Sequence, residues 1–146
     1  MAASGLVNVG QLVREQHSKE GVVLVGFGSY SGSVMAGRNW GAPMQKMKVP
    51  EAIPNSLEYR LHKSGPENKL IIFDENQELN DAFSEKIKHR AIGVVYHPER
   101  ERGNYVPSRI SAPYDAFIHI DKTTALHPLK LQPQNELTPE TYPFGI

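Results

Sequence analysis

A continuous apolar run near the start of the chain constrains its fold more than any other feature. Residues 22–27 read Val-Val-Leu-Val-Gly-Phe, are rich in β-branched side chains and are bounded by glycines. Such a run predicts a strand that is buried on both faces, which is typical of the parallel sheet in an α/β fold. The small-residue stretch at 28–33 then predicts a loop at the carboxyl end of this strand, where open α/β sheets place their sites.

Hydrophobic periodicity predicts the remaining elements. We expect an α/β fold: a mostly parallel sheet of about four strands with helices packed on its faces. Residues 34–54 show no clean period and predict an ordered loop. The other strands are predicted at 69–73, 90–96 and 114–121, and the helices at 6–19, 57–62 and 78–86.

Composition limits the classes of partner. The chain has 146 residues, with 16 Lys plus Arg against 16 Asp plus Glu, so its formal net charge is zero. We therefore expect neither a nucleic-acid nor a membrane partner, although net charge does not exclude a local basic patch. There is no Cys, no apolar run near the roughly 20 residues that span a bilayer, and no secretory signal in residues 1–5. These features suit a cytoplasmic protein.

The glycine-rich segment matches no complete catalytic or nucleotide-binding motif. Gly26 and Gly28 occupy two of the three glycine positions of a dinucleotide fingerprint, but the third position is Ser31. The segment also resembles a serine nucleophile elbow, yet Tyr30 stands where the elbow needs its Ser. The simpler interpretation is a small-residue turn that lets a loop leave the sheet edge.

The six His residues show no metal-binding spacing, so we expect no metal and no cofactor. His119 and Asp121 lie two apart on a predicted strand and share a face, where they either flank a pocket or form part of a satisfied core. His97 follows the third predicted strand beside Glu99, which suits either a site residue or a solvated turn.

Taken in order and spacing, several segments resemble the erythromycin esterase family. The resemblance extends over residues 6–129 and predicts the C-terminal portion of an erythromycin-esterase-like domain, with residues 1–5 as an N-terminal extension and 130–146 as a Pro-rich tail. The segments that carry it are 8–15 (NVGQLVRE), 24–34 (LVGFGSYSGSV), 49–58 (VPEAIPNSLE), 90–96 (RAIGVVY) and 114–126 (YDAFIHIDKTTAL).

The resemblance implies an α/β hydrolase that needs no metal. In that family a His acts as general base on water, with acidic partners and an Arg nearby. Its better-known members open macrolide lactones and so confer antibiotic resistance, and some relatives are labelled succinoglycan-biosynthesis proteins. Family members are much longer, and their catalytic motifs lie in the N-terminal part, which no position of this sequence matches. We therefore carry over no catalytic residue.

Three hypotheses follow. The first is a fragment or subunit of a carboxylic ester or lactone hydrolase, inactive alone and completed by a separate chain that supplies the N-terminal half. The second is a non-catalytic α/β module that binds a small molecule or a protein, and the third is a truncated reading frame without a role of its own. Under the first, the side chains expected to line the substrate cleft are Ser29, Tyr30, Trp40, His97 and His119.

Overall fold

Strands dominate the computed structural model of the protein, which describes residues 9–73 and 77–127. Within those ranges three short α-helices and one 3-10 segment connect six strands. The helices are α1 (Val9–Gln16), α2 (Leu57–Lys63) and α3 (Gln77–Ala82), and the 3-10 segment is Pro98–Asn104. The strands are β1 (Val25–Ala36), β2 (Gln45–Val49), β3 (Lys69–Ile72), β4 (Ile87–Arg90), β5 (Tyr105–Ser108) and β6 (Ala116–Thr123).

The central sheet has four strands in the order β2-β1-β6-β3, and β4 pairs with β5 in a separate antiparallel ribbon. In the central sheet only β1 and β6 run parallel, whereas β2 pairs antiparallel with β1 and β3 antiparallel with β6. The expectation of a mostly parallel sheet was therefore wrong. The apolar run at 22–27 indicated a strand, but it carried no information on the directions of the neighbouring strands. β1 continues beyond this run to Ala36, and the chain then turns back to form the antiparallel strand β2.

The run is also not buried on both faces. Gly26 and Gly28 face the core because a Cβ at either position would lie 2.7 Å from the ring of Phe117. The alternate residues Val25 and Phe27 point the other way and are 39% and 62% exposed. The glycines thus let β1 lie close against an aromatic side chain, and the burial that the sequence predicted holds for one face only.

Other differences arise where the chain lacks a period. The segment 34–54, predicted to be a loop, contains the end of β1 and all of β2. The strand predicted at 90–96 is wrong as well, because β4 ends at Arg90 and the following residues make only an isolated bridge between Gly37 and Val95. The strands predicted at 69–73 and 114–121 are confirmed as β3 and β6 with slightly shifted bounds.

The helices predicted around 57–62, 6–19 and 78–86 correspond to α2, α1 and α3, the last two being shorter than expected. Residues 6–8 and the predicted tail at 130–146 lie outside the described ranges.

Helix α2 covers one face of the sheet. Ser56 caps its start by accepting a hydrogen bond from the backbone nitrogen of Tyr59 at 3.2 Å. Its apolar residues Leu57 and Leu61 join a buried cluster with Phe117 of β6, which also includes Ile71, Phe73 and Ile110. The α2 face of the sheet is therefore the core face, and it also receives the polar side chains described below.

The opposite face of the sheet carries exposed apolar side chains. The pairing register sets Phe27 beside Ile118 and Ile118 beside Leu70, while Val25 and Ile72 both pair with Ala116. Leu70 and Ile72 are 63% and 56% exposed. We call the surface formed by Val25, Phe27, Leu70, Ile72 and Ile118 the open face.

Candidate functional site

The five residues expected to line a cleft lie at different places. Tyr30 and His119 sit on the core face of β1 and β6, both buried, and Ser29 points to the other side of β1. Trp40 lies in the β1–β2 connection and is 60% exposed, and His97 directly precedes the 3-10 segment. An open depression of about 600 Å³ beside that segment is lined by none of the five. Their role in substrate binding stays a prediction.

Arg90, at the end of β4, is the centre of a buried polar network. Its Nε donates to Oε1 of Glu101 at 2.6 Å, and its terminal nitrogens donate to the backbone oxygens of Ser29 (2.8 Å), Tyr30 (3.1 Å) and Pro50 (2.9 Å). The Arg90 side chain is 1% exposed. Arg90 thereby joins β1, the segment after β2 and the 3-10 segment, and its hydrogen bonds are spent on holding them together.

Glu58 of α2 extends this network. Its side chain is fully buried, and Oε1 accepts from the backbone nitrogen of Arg90 at 2.9 Å and contacts Nδ1 of His89 at 2.7 Å. On the far side, the Tyr96 hydroxyl donates to Oε2 of Glu101 at 2.5 Å. Burial, followed by the nearby Glu101 carboxylate, raises the pKa of Tyr96, so this hydroxyl stays protonated as a donor. The hydrogen bonds of this network therefore tie α2, β4 and the 3-10 segment together.

A second polar cluster lies where α2 crosses β1 and β6. Nδ1 of His62 is 2.7 Å from Oδ1 of Asp121, and the His62 ring stacks on the Tyr30 ring at 3.7 Å with 2° between the planes. A carboxylate can only accept, so we assign the Nδ1 proton to His62. Burial raises the pKa of the Tyr30 hydroxyl, so the ring under His62 stays neutral. An imidazole fixed by a carboxylate is an arrangement that can accept a proton at its other nitrogen.

His119 is the third side chain of this cluster. Its Nε2 lies 3.6 Å from Oδ1 of Asp121, which is too long for a hydrogen bond, and neither ring nitrogen has a hydrogen-bond partner among the described residues. The side chain is fully buried. Burial lowers the pKa of His119, and the attraction of Asp121 offsets only part of that effect. His119 is therefore a buried histidine without a hydrogen-bond partner in the described part of the chain, and its place beside a pocket stays a prediction.

We predict that His119→Leu leaves the stability at neutral pH within about 1 kcal/mol of the wild type, because no hydrogen bond is lost. Since its pKa is lowered in the folded state, His119 takes up a proton more readily when the chain is unfolded. Its contribution to the free energy of unfolding is complete above about pH 6.5 and is lost as the pH falls through the folded pKa.

Urea unfolding at about pH 7.5 and about pH 5 measures this difference. The leucine variant should lose less stability between the two values than the wild type does. His127 is exposed and provides the matched control, because His127→Leu should keep the wild-type pH dependence. Equal pH dependence in wild type and His119→Leu would contradict the prediction.

The sequence missed His62 and the Arg90 network. His62 lay in a predicted helix, and no nearby residue in the sequence indicated a partner for it, because Asp121 is 59 positions away in the chain. Arg90 was placed at the start of the strand predicted at 90–96, whereas in the structure β4 ends at Arg90. The pairing of His119 with Asp121 on one face was the one available signal, and it identified the right strand.

Two features bear on cofactors and membranes. Within residues 9–73 and 77–127 no group of three or more His, Asp or Glu side chains is arranged to hold a metal ion. None of the helices in these ranges is long and apolar enough to cross a bilayer.

Two solved structures share this fold. One is of a protein from Bacillus cereus, with a TM-score of 0.63 over 79% of this chain, and the other is of a protein described as a succinoglycan biosynthesis protein, with a TM-score of 0.64 over 81%. Both are 18% identical to this chain, which shows a common fold and no more. The chain spans 28% of the length of each.

The sequence profile of the erythromycin esterase family matches residues 1–123. This chain therefore belongs to the erythromycin esterase family, as its segments suggested.

Proposed function

We propose that this chain forms the C-terminal portion of a hydrolase that cleaves carboxylic esters or lactones, and that it does not form a complete catalytic site by itself. The family match over residues 1–123 carries the proposal. The 28% share of the matched structures' length supports the second part, because most of such a fold lies outside this chain. The remaining portion is supplied either by further residues of the same polypeptide or by a separate chain.

The exposed apolar side chains of the open face support the proposal that this chain is one portion of a larger domain. Parallel strands are normally covered on both faces, whereas α2 packs on only one face of the β1–β6 pair. Four large apolar side chains of the open face are 39–63% exposed. Completing their burial would contribute roughly 3–6 kcal/mol, at 1.5–3 kcal/mol for each fully buried side chain.

That amount helps to decide between the two sources of the missing portion. Association of separate chains costs about 4–15 kcal/mol in lost translational and rotational freedom. The contribution of the open face lies at the low end of that cost, so a separate chain must bury further surface to bind stably. A portion linked through the backbone has no such cost. We propose that the open face is where the helices of the N-terminal portion dock.

We expect the isolated chain to show no hydrolysis of p-nitrophenyl acetate or of a macrolide lactone above the uncatalysed rate. The measurement uses purified protein of verified mass and cooperative unfolding. Turnover that survives repurification and is lost in His97→Ala or His119→Ala would contradict the proposal, because a complete site would then exist within this chain.

A second experiment adds the missing N-terminal portion. The N-terminal portion of another family member is fused before residue 1 or co-expressed as a separate chain, and we expect ester hydrolysis to appear. Phe27→Ser with Leu70→Ser should prevent it, while Met44→Ser, also at an exposed apolar residue but away from the open face, should not. Tight ligand binding without turnover in the assembled unit would favour the non-catalytic binding module instead.

A further inference from the structure

Strand β1 has two hydrogen-bonding edges, and one of them is only partly used. On one edge β1 pairs with β6 between Val25 and Gly32. On the other edge it pairs with β2, but only between Gly32 and Ala36. Because β2 and β6 flank β1 from opposite sides, residues 25–31 have no strand on the β2 side within the described part of the chain. We call the β2-side edge of residues 25–29 the open edge.

The hydrogen bonds to β6 show which backbone groups point to the open edge. The carbonyl oxygen of Leu24 accepts from the backbone nitrogen of Ala116 at 3.3 Å and therefore faces β6. Backbone groups alternate between the two edges of a strand, so those of Gly26 face β6 and those of Val25 and Phe27 face the open edge. No described residue hydrogen-bonds the Val25 and Phe27 groups on that edge.

Arg90 closes the open edge at its carboxyl end. Its side chain donates to the carbonyl oxygens of Ser29 and Tyr30 on β1 and to that of Pro50, which follows β2. Arg90 thus fills the space beyond the last β1–β2 pair. Among the described residues the open edge itself has no such cap, and its two open-face side chains are 39% and 62% exposed. An uncapped strand edge is a template for pairing with a further strand.

Helix α1 indicates which strand fits there. It leads directly into β1, and Arg14 ties it to the amino end of the parallel pair by donating to Oδ2 of Asp115 at 2.8 Å. None of its residues is buried, and Val9, Leu12 and Val13 are 76%, 45% and 36% exposed. A helix that enters the amino end of a strand is the usual connection from a parallel neighbour in a βαβ unit. The apolar side of α1 and the open edge thus lack the same element, a strand that precedes α1.

We propose that the strand preceding α1 in the N-terminal portion of the domain adds to the open edge, parallel to β1. Since β6 occupies the other side of β1, the added strand, α1 and β1 form a βαβ unit on the open edge. Its backbone bonds the free groups of Val25 and Phe27, and its side chains on the open face are apolar. The partner rests on the proposed function, whereas the open edge does not. The matched structures are long enough to supply it, because this chain spans 28% of each.

The competing explanation is that a helix or loop of the N-terminal portion covers this edge without hydrogen-bonding to it. Amide hydrogen exchange of the ¹⁵N-labelled isolated chain establishes the starting state. The N–H groups of Val25 and Phe27 should exchange at least about tenfold faster than those of Gly26 and Gly28. Equal protection at the four positions would overturn the proposal, because the open edge would already be occupied.

The same measurement tests the added strand in a chimera that carries the N-terminal portion of another family member before residue 1. We expect exchange at Val25 and Phe27 to slow by about 100-fold or more. If the chimera unfolds in one cooperative transition and these amides still exchange as in the isolated chain, the proposal is wrong. Two independent unfolding transitions would contradict it as well, because no strand then joins the sheet.

Proline variants separate hydrogen bonding from simple coverage. Phe27→Pro removes one N–H from the open edge and leaves the β6 edge intact, whereas the matched control Phe27→Ala removes the side chain and keeps the N–H. In the chimera, the proline should return Val25 to fast exchange and the alanine should keep its exchange slow. Similar protection in both variants would favour a covering helix or loop over an added strand. Val25→Pro with Val25→Ala, read at Phe27, makes the same comparison if Phe27→Pro does not fold.

Ester hydrolysis by the same chimera is measured separately and distinguishes this proposal from the proposed function. Protected amides at the open edge without turnover would support the added strand and count against the hydrolase function. Turnover with unprotected amides at the open edge would overturn the added strand and leave the hydrolase function standing.

Discussion

Replacing Arg90 with methionine should lower the free energy of unfolding by roughly 3–5 kcal/mol, because breaking a buried ion pair from one side leaves the other charge uncompensated. The charge left behind is Glu101, which is 12% exposed and 2.6 Å from Arg90 Nε. Three backbone oxygens lose their donors as well. Urea unfolding followed by circular dichroism measures the change.

Arg38 provides the matched control. Its ion pair with Glu99 spans 3.1 Å, but the two side chains are 55% and 53% exposed. An exposed pair of this kind contributes about 0–1 kcal/mol, so Arg38→Met should stay close to the wild type. Comparable losses in the two arginine variants would contradict a special role for the buried network.

A second variant covers the case in which Arg90→Met does not fold. Adding Glu101→Gln removes the stranded carboxylate charge and keeps an acceptor for the Tyr96 hydroxyl. The double variant should therefore recover part of the loss. If it is less stable than Arg90→Met alone, the cost does not come from an uncompensated charge.

The strength of the local signal decided which elements could be predicted. The runs at 69–73 and 114–121 are short, apolar and bounded by polar residues, and they became β3 and β6. Residues 91–96 carry a similar signal but form no strand. Here the chain leads from β4 to the 3-10 segment, and the hydrogen bond from Tyr96 to Glu101 holds it there. Tertiary contacts overrode propensity at this point.

Strand direction and the site depended on distant contacts. No pattern in residues 25–36 indicates that β1 pairs with one parallel strand, β6, and one antiparallel strand, β2. The His62–Asp121 pair joins a helix to a strand near the other end of the described chain, and no local pattern marks such a pair. Family resemblance could be recognised from the segments because their order survives, whereas the side-chain partners had to come from the fold.

We expect Gly32→Ala to lower the free energy of unfolding by about 3 kcal/mol or more, from combined overpacking and backbone strain. Gly32 has a φ of +130°, which L residues with a side chain rarely adopt. A Cβ there would lie 2.1 Å from the carbonyl oxygen and 2.6 Å from the nitrogen of Thr123. These are backbone atoms of β6, so relief requires the parallel pair to separate. Urea unfolding measures the loss.

Gly41→Ala distinguishes the clash from the strain. Gly41 also has a positive φ, +74°, but a Cβ there meets nothing within 4 Å. Only the conformational cost of about 1–2 kcal/mol should remain. Because Gly32 pairs with Thr123, two residues from Asp121, Gly32→Ala should also loosen the His62–Asp121 pair. Similar losses in the two alanine variants would show that β6 shifts without cost, and that the parallel pair does not fix the position of Asp121.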